Sequence, residues 1–259
     1  MAEAIWAELV KARRSRLPWL TVVAFTVAAG VGGLFMFILA DPQRARALGL
    51  LGAKAQLVNG TADWPTYFGL LAQTTAVGGA LVYGLMVIWM FGREFSDHTA
   101  KDLLALPTSR TAVVAAKLAV LAVWCMLLAV QVVVLGLVIG AALRLPGWSA
   151  AVAWHGFGTV LVTAVLVVLV VVPLALAASA GRGYLAAVGV MFVMTFLAQI
   201  IAVLGYGQYF PWSVPALYAG VAGADQPPPG PVGYVLVVAV GVAGAVGTAA
   251  WWRGADHSR

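Results

Sequence analysis

The sequence predicts an all-α integral membrane protein with six transmembrane helices. Of its 259 residues, 63% are hydrophobic and only 9% are charged. A soluble domain of this length could not bury so much apolar surface. The apolar residues form runs long enough to cross a bilayer as helices, and the 10 Trp, 29 Gly and 12 Pro are typical of the same class. We therefore expect one transmembrane domain over residues 1–259.

The first segment, residues 1–16, predicts an amphipathic helix that lies on the membrane surface. Its apolar side chains recur at helical spacing, whereas its charged side chains lie largely elsewhere on the helix. The apolar set is Ile5, Trp6, Leu9 and Val10, and the charged set is Glu3, Glu8, Lys11 and Arg14.

Six apolar runs then predict the transmembrane helices. They cover residues 18–40, 67–91, 111–143, 157–180, 184–204 and 232–252. The third run is longer than a bilayer requires, so we expect part of it to project or tilt. Lys117 lies near the cytoplasmic end of that run, where a lysine can snorkel to the interface. Pro173 predicts a kink in the fourth span.

The distribution of basic residues favours a cytoplasmic location for both termini. Of the 15 Lys and Arg, the proposed external segments contain only Arg44, Arg46, Lys54 and Arg144. This bias follows the positive-inside rule. The net charge of +6 therefore reflects topology. We expect a multi-pass protein of a bacterial cytoplasmic membrane, with the lipid bilayer and not nucleic acid as its surroundings.

The sequence disfavours several function classes because their characteristic residues are missing. Every carboxylate falls in a loop or at the end of a span, which argues against proton-coupled carriers and intramembrane aspartyl proteases. A carrier that uses backbone carbonyls alone stays open. The sequence has no G-x-x-x-x-G-K-[S/T] motif, so any ATP must be bound by another chain. No nucleophile and base occur at a useful spacing within the spans, so we do not expect an enzyme.

A few polar residues within or beside the spans need separate interpretation. His155 has no neighbouring ligand set, so we expect no metal site, and Cys125 is best interpreted as a packing residue. Gln73 and Gln199 are candidates for lining a substrate path. Their simpler interpretation is hydrogen bonding between helices.

The charged segment between the second and third spans is the most informative part of the chain. Residues 92–110 read G-R-E-F-S-D-H-T-A-K-D-L-L-A-L-P-T-S-R. Glu94, Asp97 and Lys101 are spaced to share one face of a helix. Pro107 would end that helix, and Thr108 or Ser109 could cap the next one. The simplest interpretation is a solvated loop that obeys the positive-inside rule.

This segment resembles the corresponding loop of type-2 ABC transporter permeases, particularly the six-span membrane subunits of bacitracin-type and multidrug exporters. The matching elements are Arg93-Glu94, Thr99, Leu103-Leu104, Pro107 and Ser109-Arg110. The sequence P-W-S-V-P at residues 211–215 is similar to that family's external segment between the fifth and sixth spans. In the family, this segment forms a re-entrant hairpin, which would correspond to residues 206–224.

The resemblance implies the permease subunit of an ABC exporter that moves a hydrophobic or amphipathic drug, antibiotic, peptide or lipid outward. It implies two copies of a P-loop ATPase as partners and a second permease chain, identical or homologous. ATP and Mg would be bound by the ATPase, with no cofactor in this chain. The loop 93–110 would form a cytoplasmic coupling helix. The implied coupling residues are Arg93, Glu94, Asp97, Lys101, Asp102 and Arg110, and the implied external gate residues are Pro211, Trp212 and Pro215.

Two alternatives from another class stay open on the sequence alone. One is an ATP-independent membrane carrier, which would transport without a partner. The other is a scaffold that assembles with other membrane proteins and transports nothing.

Overall fold

The computed structural model of the protein describes residues 2–50, 61–97, 109–221, 223 and 228–254. Within these ranges, six helices are long and apolar enough to cross a membrane, and no strand occurs. The expected all-helical class with six spans is therefore confirmed. The side of the membrane that each end faces stays a prediction.

The helices are numbered here in chain order. Helix α1 spans Ala2–Arg14, and a short α3 spans Pro42–Ala47. The six spans are α2 (Leu17–Ala40), α4 (Trp64–Ser96), α5 (Arg110–Ala142), α6 with α7 (Ala150–Val171 and Pro173–Ala180), α8 (Tyr184–Val203) and α10 (Pro231–Gly254). Helix α9 spans Val214–Tyr218 in the segment between the last two spans.

Asp63, Ser109 and Ser149 cap the starts of α4, α5 and α6. Asp63 accepts a hydrogen bond from the backbone N–H of Thr66 (2.9 Å) at the start of α4. Ser109 accepts one from Ala112 (3.3 Å) at the start of α5, in the capping position that the sequence indicates. These bonds satisfy amides that a helix leaves without partners in its first turn. At Asp63, a hydrogen bond from the Thr61 hydroxyl and the capped backbone amide hold the carboxyl pKa below its usual value.

Helices α4 and α5 are longer than the bilayer requires. Each contains 33 residues, which corresponds to about 50 Å at 1.5 Å per residue. Helix α4 continues through Ser96, five residues past the predicted end of the second span. Residues 92–96 are therefore helical, and Arg93 and Glu94 belong to the last turn of a span. An ion pair between Arg93 and Asp97, four residues apart, supports this extension (3.1 Å).

Helices α2, α4 and α5 meet around a buried pair of aromatic rings. The rings of Phe25 and Tyr83 stack with their centroids 5.6 Å apart. The Tyr83 hydroxyl donates a hydrogen bond to the main-chain carbonyl of Cys125 (3.0 Å). Cys125 itself is buried and packs at this junction. The aromatic contact and the satisfied hydroxyl hold α4 between its two neighbours.

The fourth and sixth spans approach each other closely at Pro173. This proline has no backbone N–H, so it divides the fourth span into α6 and α7. Gly244 of α10 lies against it, and a Cβ atom at Gly244 would come within 2.8 Å of the Pro173 Cα and N atoms. Only glycine allows the two backbones to come this close.

We expect Gly244→Ala to lower the free energy of unfolding by about 1–3 kcal/mol, because the added methyl group meets backbone that cannot rotate away. Thermal unfolding in mild detergent measures the change. Gly158→Ala is the matched control, because a Cβ there would meet nothing within 4 Å. Its only effect should be the small gain in helix propensity. Equal unfolding temperatures for the two variants would contradict the close approach.

Candidate functional site

Four charged side chains from three helices meet at one end of the bundle, and we call them the four-charge cluster: Glu8, Lys11, Glu94 and Lys117. The Lys117 ammonium lies 2.8 Å from the Glu94 carboxylate and 3.0 Å from that of Glu8. It also donates to the main-chain carbonyl of Met90 (3.1 Å). Lys11 lies 2.9 Å from Glu94 and 3.1 Å from Glu8. Each carboxylate therefore contacts both lysines.

The positions of these four residues along their helices bring their charged groups to the same end of the bundle. Glu8 and Lys11 are three residues apart on α1 and so point in the same direction. Glu94 lies in the last turn of α4, and Lys117 lies near the start of α5. The two helices are connected through the charged segment that the sequence singles out. The cluster thus joins both flanks of that segment to the N-terminal helix.

Burial determines how strongly the cluster holds together. The exposed fractions are 1% for the Lys117 side chain, 4% for Glu94 and 6% for Glu8. Charges removed from water are costly unless they are paired and hydrogen-bonded. Here, two carboxylates balance two ammonium groups, and the three protons of Lys117 have three acceptors within 3.1 Å. The arrangement is therefore stable only as a complete set.

The fourth member, Lys11, is about one-third exposed. Burial lowers the pKa of its ammonium group, but the hydrogen bond to Glu94 and the charge of Glu8 outweigh this effect, so its pKa is raised above the usual 10.5. A raised lysine pKa means that the ion pairs are fully present below the usual value. They are lost only when the pH rises through the raised pKa.

The structure corrects three sequence-based interpretations at this end. Lys117 does not snorkel to water, because its ammonium group is enclosed by Glu8 and Glu94. Glu8 is not on a solvated face of α1, because that face packs on the bundle. Glu94 does not share an exposed face with Asp97, whose side chain is half exposed. The i, i+3 spacing of Glu8 and Lys11 was the available signal for the cluster.

The other predicted coupling residues lie around the cluster. Arg93 pairs with Asp97 at the surface and lies over the Trp89 ring, 5.2 Å from its centroid. Arg110 donates to the main-chain carbonyl of Trp252 at the end of α10 (3.2 Å). A cation at a helix C-terminus satisfies carbonyls that have no partner within the helix. Lys101 and Asp102 lie outside the described residues.

A second constellation forms at the opposite end, beneath the segment between α8 and α10. The described part of this segment contains two 3-10 turns, Gly207–Tyr209 and Pro211–Ser213, followed by α9. A small pocket of about 60 Å³ lies below it. Gln199, Trp212 and Pro215 line this pocket together, and Thr195 and Ala76 are among the other residues of its wall. A substrate-path candidate on α8 and two gate candidates from the segment that follows α8 therefore meet in one pocket.

Hydrogen bonds attach the segment to two of the spans. The Gln73 side-chain amide, on α4, donates to the main-chain carbonyl of Gly220 (3.2 Å). The Ser213 hydroxyl donates to the carbonyl of Ala198 on α8 (2.9 Å). Gln73 thus touches the segment without lining the pocket, and Pro211 begins the second 3-10 turn. Within the described ranges, no group of three His, Cys, Asp or Glu side chains could hold a metal ion.

Comparisons with known proteins agree with this architecture. A family described as "ABC-2 family transporter protein" matches residues 4–198, which extend from α1 into α8 and include the four-charge cluster. The bacitracin transport permease protein BCRB of Bacillus licheniformis is 27% identical over 183 residues, which cover 69% of this chain and 85% of that protein. The chain therefore belongs to the ABC-2 family of transporter proteins, and it is a multi-pass permease subunit of an ABC exporter in the cytoplasmic membrane.

Proposed function

We propose that two permease chains, this one and an identical or homologous second, enclose an export path and are driven by two copies of a P-loop ATPase. The substrate is hydrophobic or amphipathic: a drug, an antibiotic, a peptide or a lipid. Because the relative is named for bacitracin transport, peptide antibiotics are the first substrates to test. ATP and Mg are bound by the ATPase, and this chain is neither an enzyme nor the holder of a cofactor.

The observation that carries the coupling part of this proposal is the four-charge cluster. Residues 98–108 connect α4 to α5, with Glu94 before them and Lys117 after them. Any force on that segment reaches both helix ends. Removing one partner from a buried ion pair costs about 3–5 kcal/mol. The ends of α4 and α5 and the whole of α1 therefore move as one unit, which transfers the movement to the N-terminal helix.

The burial of Glu94 divides the predicted coupling residues into two groups. Arg93 and Asp97 have partly exposed side chains that an ATPase can reach. Glu94 acts inside the protein, where it joins the helix ends, and Arg110 extends the connection to the end of α10. Docking and transmission are thus performed by different side chains of the same short stretch.

The fifth span supports the pairing of two permease chains. Among the six spans of the described residues, α8 is the least buried, with only 17% of its apolar stretch buried inside the protein. Large apolar side chains, including Leu185, Phe192 and Phe196, point outward. Gln199 lies on the same helix, beneath the segment that contains Trp212 and Pro215. An export path between the α8 faces of two chains would end at the segment between α8 and α10. Movement of that segment would open or close the path.

Transport by the assembled complex tests the proposed function. We expect inverted membrane vesicles that contain this chain, its second permease chain and a P-loop ATPase to accumulate bacitracin only when ATP is supplied. Asp97→Asn should weaken ATPase binding. Accumulation without ATP that an uncoupler abolishes would instead support a carrier, and a stable complex without transport would support a scaffold.

We expect Lys117→Met to lower the free energy of unfolding by about 3–5 kcal/mol, because two buried carboxylates then share one lysine. The double variant Glu94→Gln with Lys117→Met should recover part of this loss, because Glu8 and Lys11 remain as a balanced pair. Thermal unfolding in detergent measures both. Arg93→Gln breaks an exposed pair and should change stability by only about 0–1 kcal/mol. If Lys117→Met resembles Arg93→Gln, the cluster does not join the helices.

We expect Gln73→Leu to loosen the external segment, because the bond to Gly220 is lost. The net cost is about 1 kcal/mol. Hydrogen exchange of residues 207–221 should become faster, and transport per ATP hydrolysed should fall. Gln131→Leu is the matched control, because the Gln131 amide bonds Val22 and Thr26 instead. Unchanged hydrogen exchange in the Gln73→Leu variant would show that the bond to Gly220 does not hold this segment in place.

A further inference from the structure

An apolar groove runs between the N-terminal helix and the spans that it crosses, and we call it the α1–α5 groove. Leu9 and Ala12 of α1, Leu17 of α2, Trp89 of α4 and Trp124 of α5 are among the residues that line it. Its volume is about 480 Å³, within the range of roughly 300–1,000 Å³ of small-molecule sites. The groove is therefore large enough for an extended ligand.

The groove opens sideways, toward the surface that the spans present to the bilayer. Trp19, Val123 and Leu127 form its rim, and their exposed fractions are 70%, 60% and 54%. All three are apolar and belong to transmembrane helices. A ligand that enters between them comes from the hydrocarbon of the membrane.

Polar contacts on both sides of the groove fix the positions of its walls. The four-charge cluster holds α1 against the ends of α4 and α5. On the other side, the Trp124 indole N–H donates to the Thr21 hydroxyl (3.1 Å), which fixes α5 against α2. Protein interiors are closely packed, and an apolar gap is a poor site for water. The fixed walls and apolar lining favour a hydrocarbon chain as the occupant.

The charge at the α1 end of the groove is positive. Arg13 lines the groove, and Arg16 immediately precedes Leu17, which also lines it. In the part of the chain that the structure describes, neither arginine pairs with a carboxylate, and none of the groove-lining residues is acidic. The nearest carboxylate on α1, Glu8, is bound to Lys11 and Lys117. Guanidinium groups at such a position favour phosphate.

We propose that the α1–α5 groove binds one anionic phospholipid from the adjacent leaflet. One acyl chain lies along Trp89 and Trp124, and the headgroup phosphate is held by Arg13 and Arg16. The lipid fills the gap that the fixed helices leave, and it attaches α1 to the bilayer at the same place where the four-charge cluster attaches α1 to the protein. The site is distinct from the pocket beneath the external segment, and it does not depend on which substrate is exported.

Native mass spectrometry of the full chain tests the proposal. The protein is released from nanodiscs that contain equal amounts of phosphatidylglycerol and phosphatidylethanolamine, and the retained lipid is counted. We expect the wild type to retain one phospholipid, with at least a severalfold preference for phosphatidylglycerol. The double variant Arg13→Gln with Arg16→Gln should lose that preference. Val123→Trp should lower retention of both lipids, because the larger side chain at the rim enters the groove.

Two control variants test whether these effects are specific to the groove or follow from any loss of positive charge or any added tryptophan. Arg44→Gln with Arg46→Gln removes the same charge from exposed positions of α3, and it should keep the preference. Val138→Trp adds the same side chain to an exposed position of α5 that does not line the groove, and it should keep the retained lipid. Thermal unfolding confirms that every variant is folded.

Four results would overturn the proposal. The first is equal retention of the two phospholipids by the wild type. The second is an unchanged preference in the Arg13 and Arg16 variant. The third is displacement of the lipid by bacitracin at equal strength in the wild type and in the double arginine variant, which would make the groove an entry for substrate. If Val123→Trp abolishes dimer formation and the wild type retains no lipid, the groove is instead an interface with a second copy of the chain.

Discussion

The ammonium group of Lys117 is the constraint on which the arrangement of this protein depends. It is a charge enclosed within the end of a helix bundle, and it is tolerated only because Glu8 and Glu94 approach it within 3.0 Å. Those two carboxylates belong to helices that are distant in sequence. The need to neutralise one buried charge therefore determines where α1 lies and how the ends of α4 and α5 are spaced.

Helix α4 connects this cluster to the opposite side of the membrane. Glu94 lies in its last turn, and Gln73, which bonds the segment between α8 and α10, lies 21 residues earlier in the same helix. This corresponds to about 30 Å at 1.5 Å per residue. The helix is well buried along its length and has no proline break between these points. In the proposed mechanism, movement at one end of this continuous, packed helix reaches the other end and so couples the four-charge cluster to the segment between α8 and α10.

The N-terminal helix faces two environments, and the structure explains both. Glu8 and Lys11 point into the bundle, whereas Trp6 and Leu9 are 69% and 50% exposed. In a membrane, the exposed apolar side chains lie in the interface. On the membrane surface that the sequence predicts for α1, the helix would contact lipid with one side and the buried charges with the other. A change in either contact alters the position of the same rigid element.

The sequence by itself determined the number of spans, the amphipathic start and the segment around residues 92–110, because length, hydropathy and helical periodicity are local properties. It also singled out Gln199, Trp212 and Pro215, although only folding brought them to one pocket. It did not determine which way Glu8 and Lys117 point. On a helical wheel, a lone charge is assigned to water, since its partner in another helix is not visible. Only the tertiary structure decided that these charges neutralise one another inside the protein, because the gain from pairing exists only when three separate helices have already met.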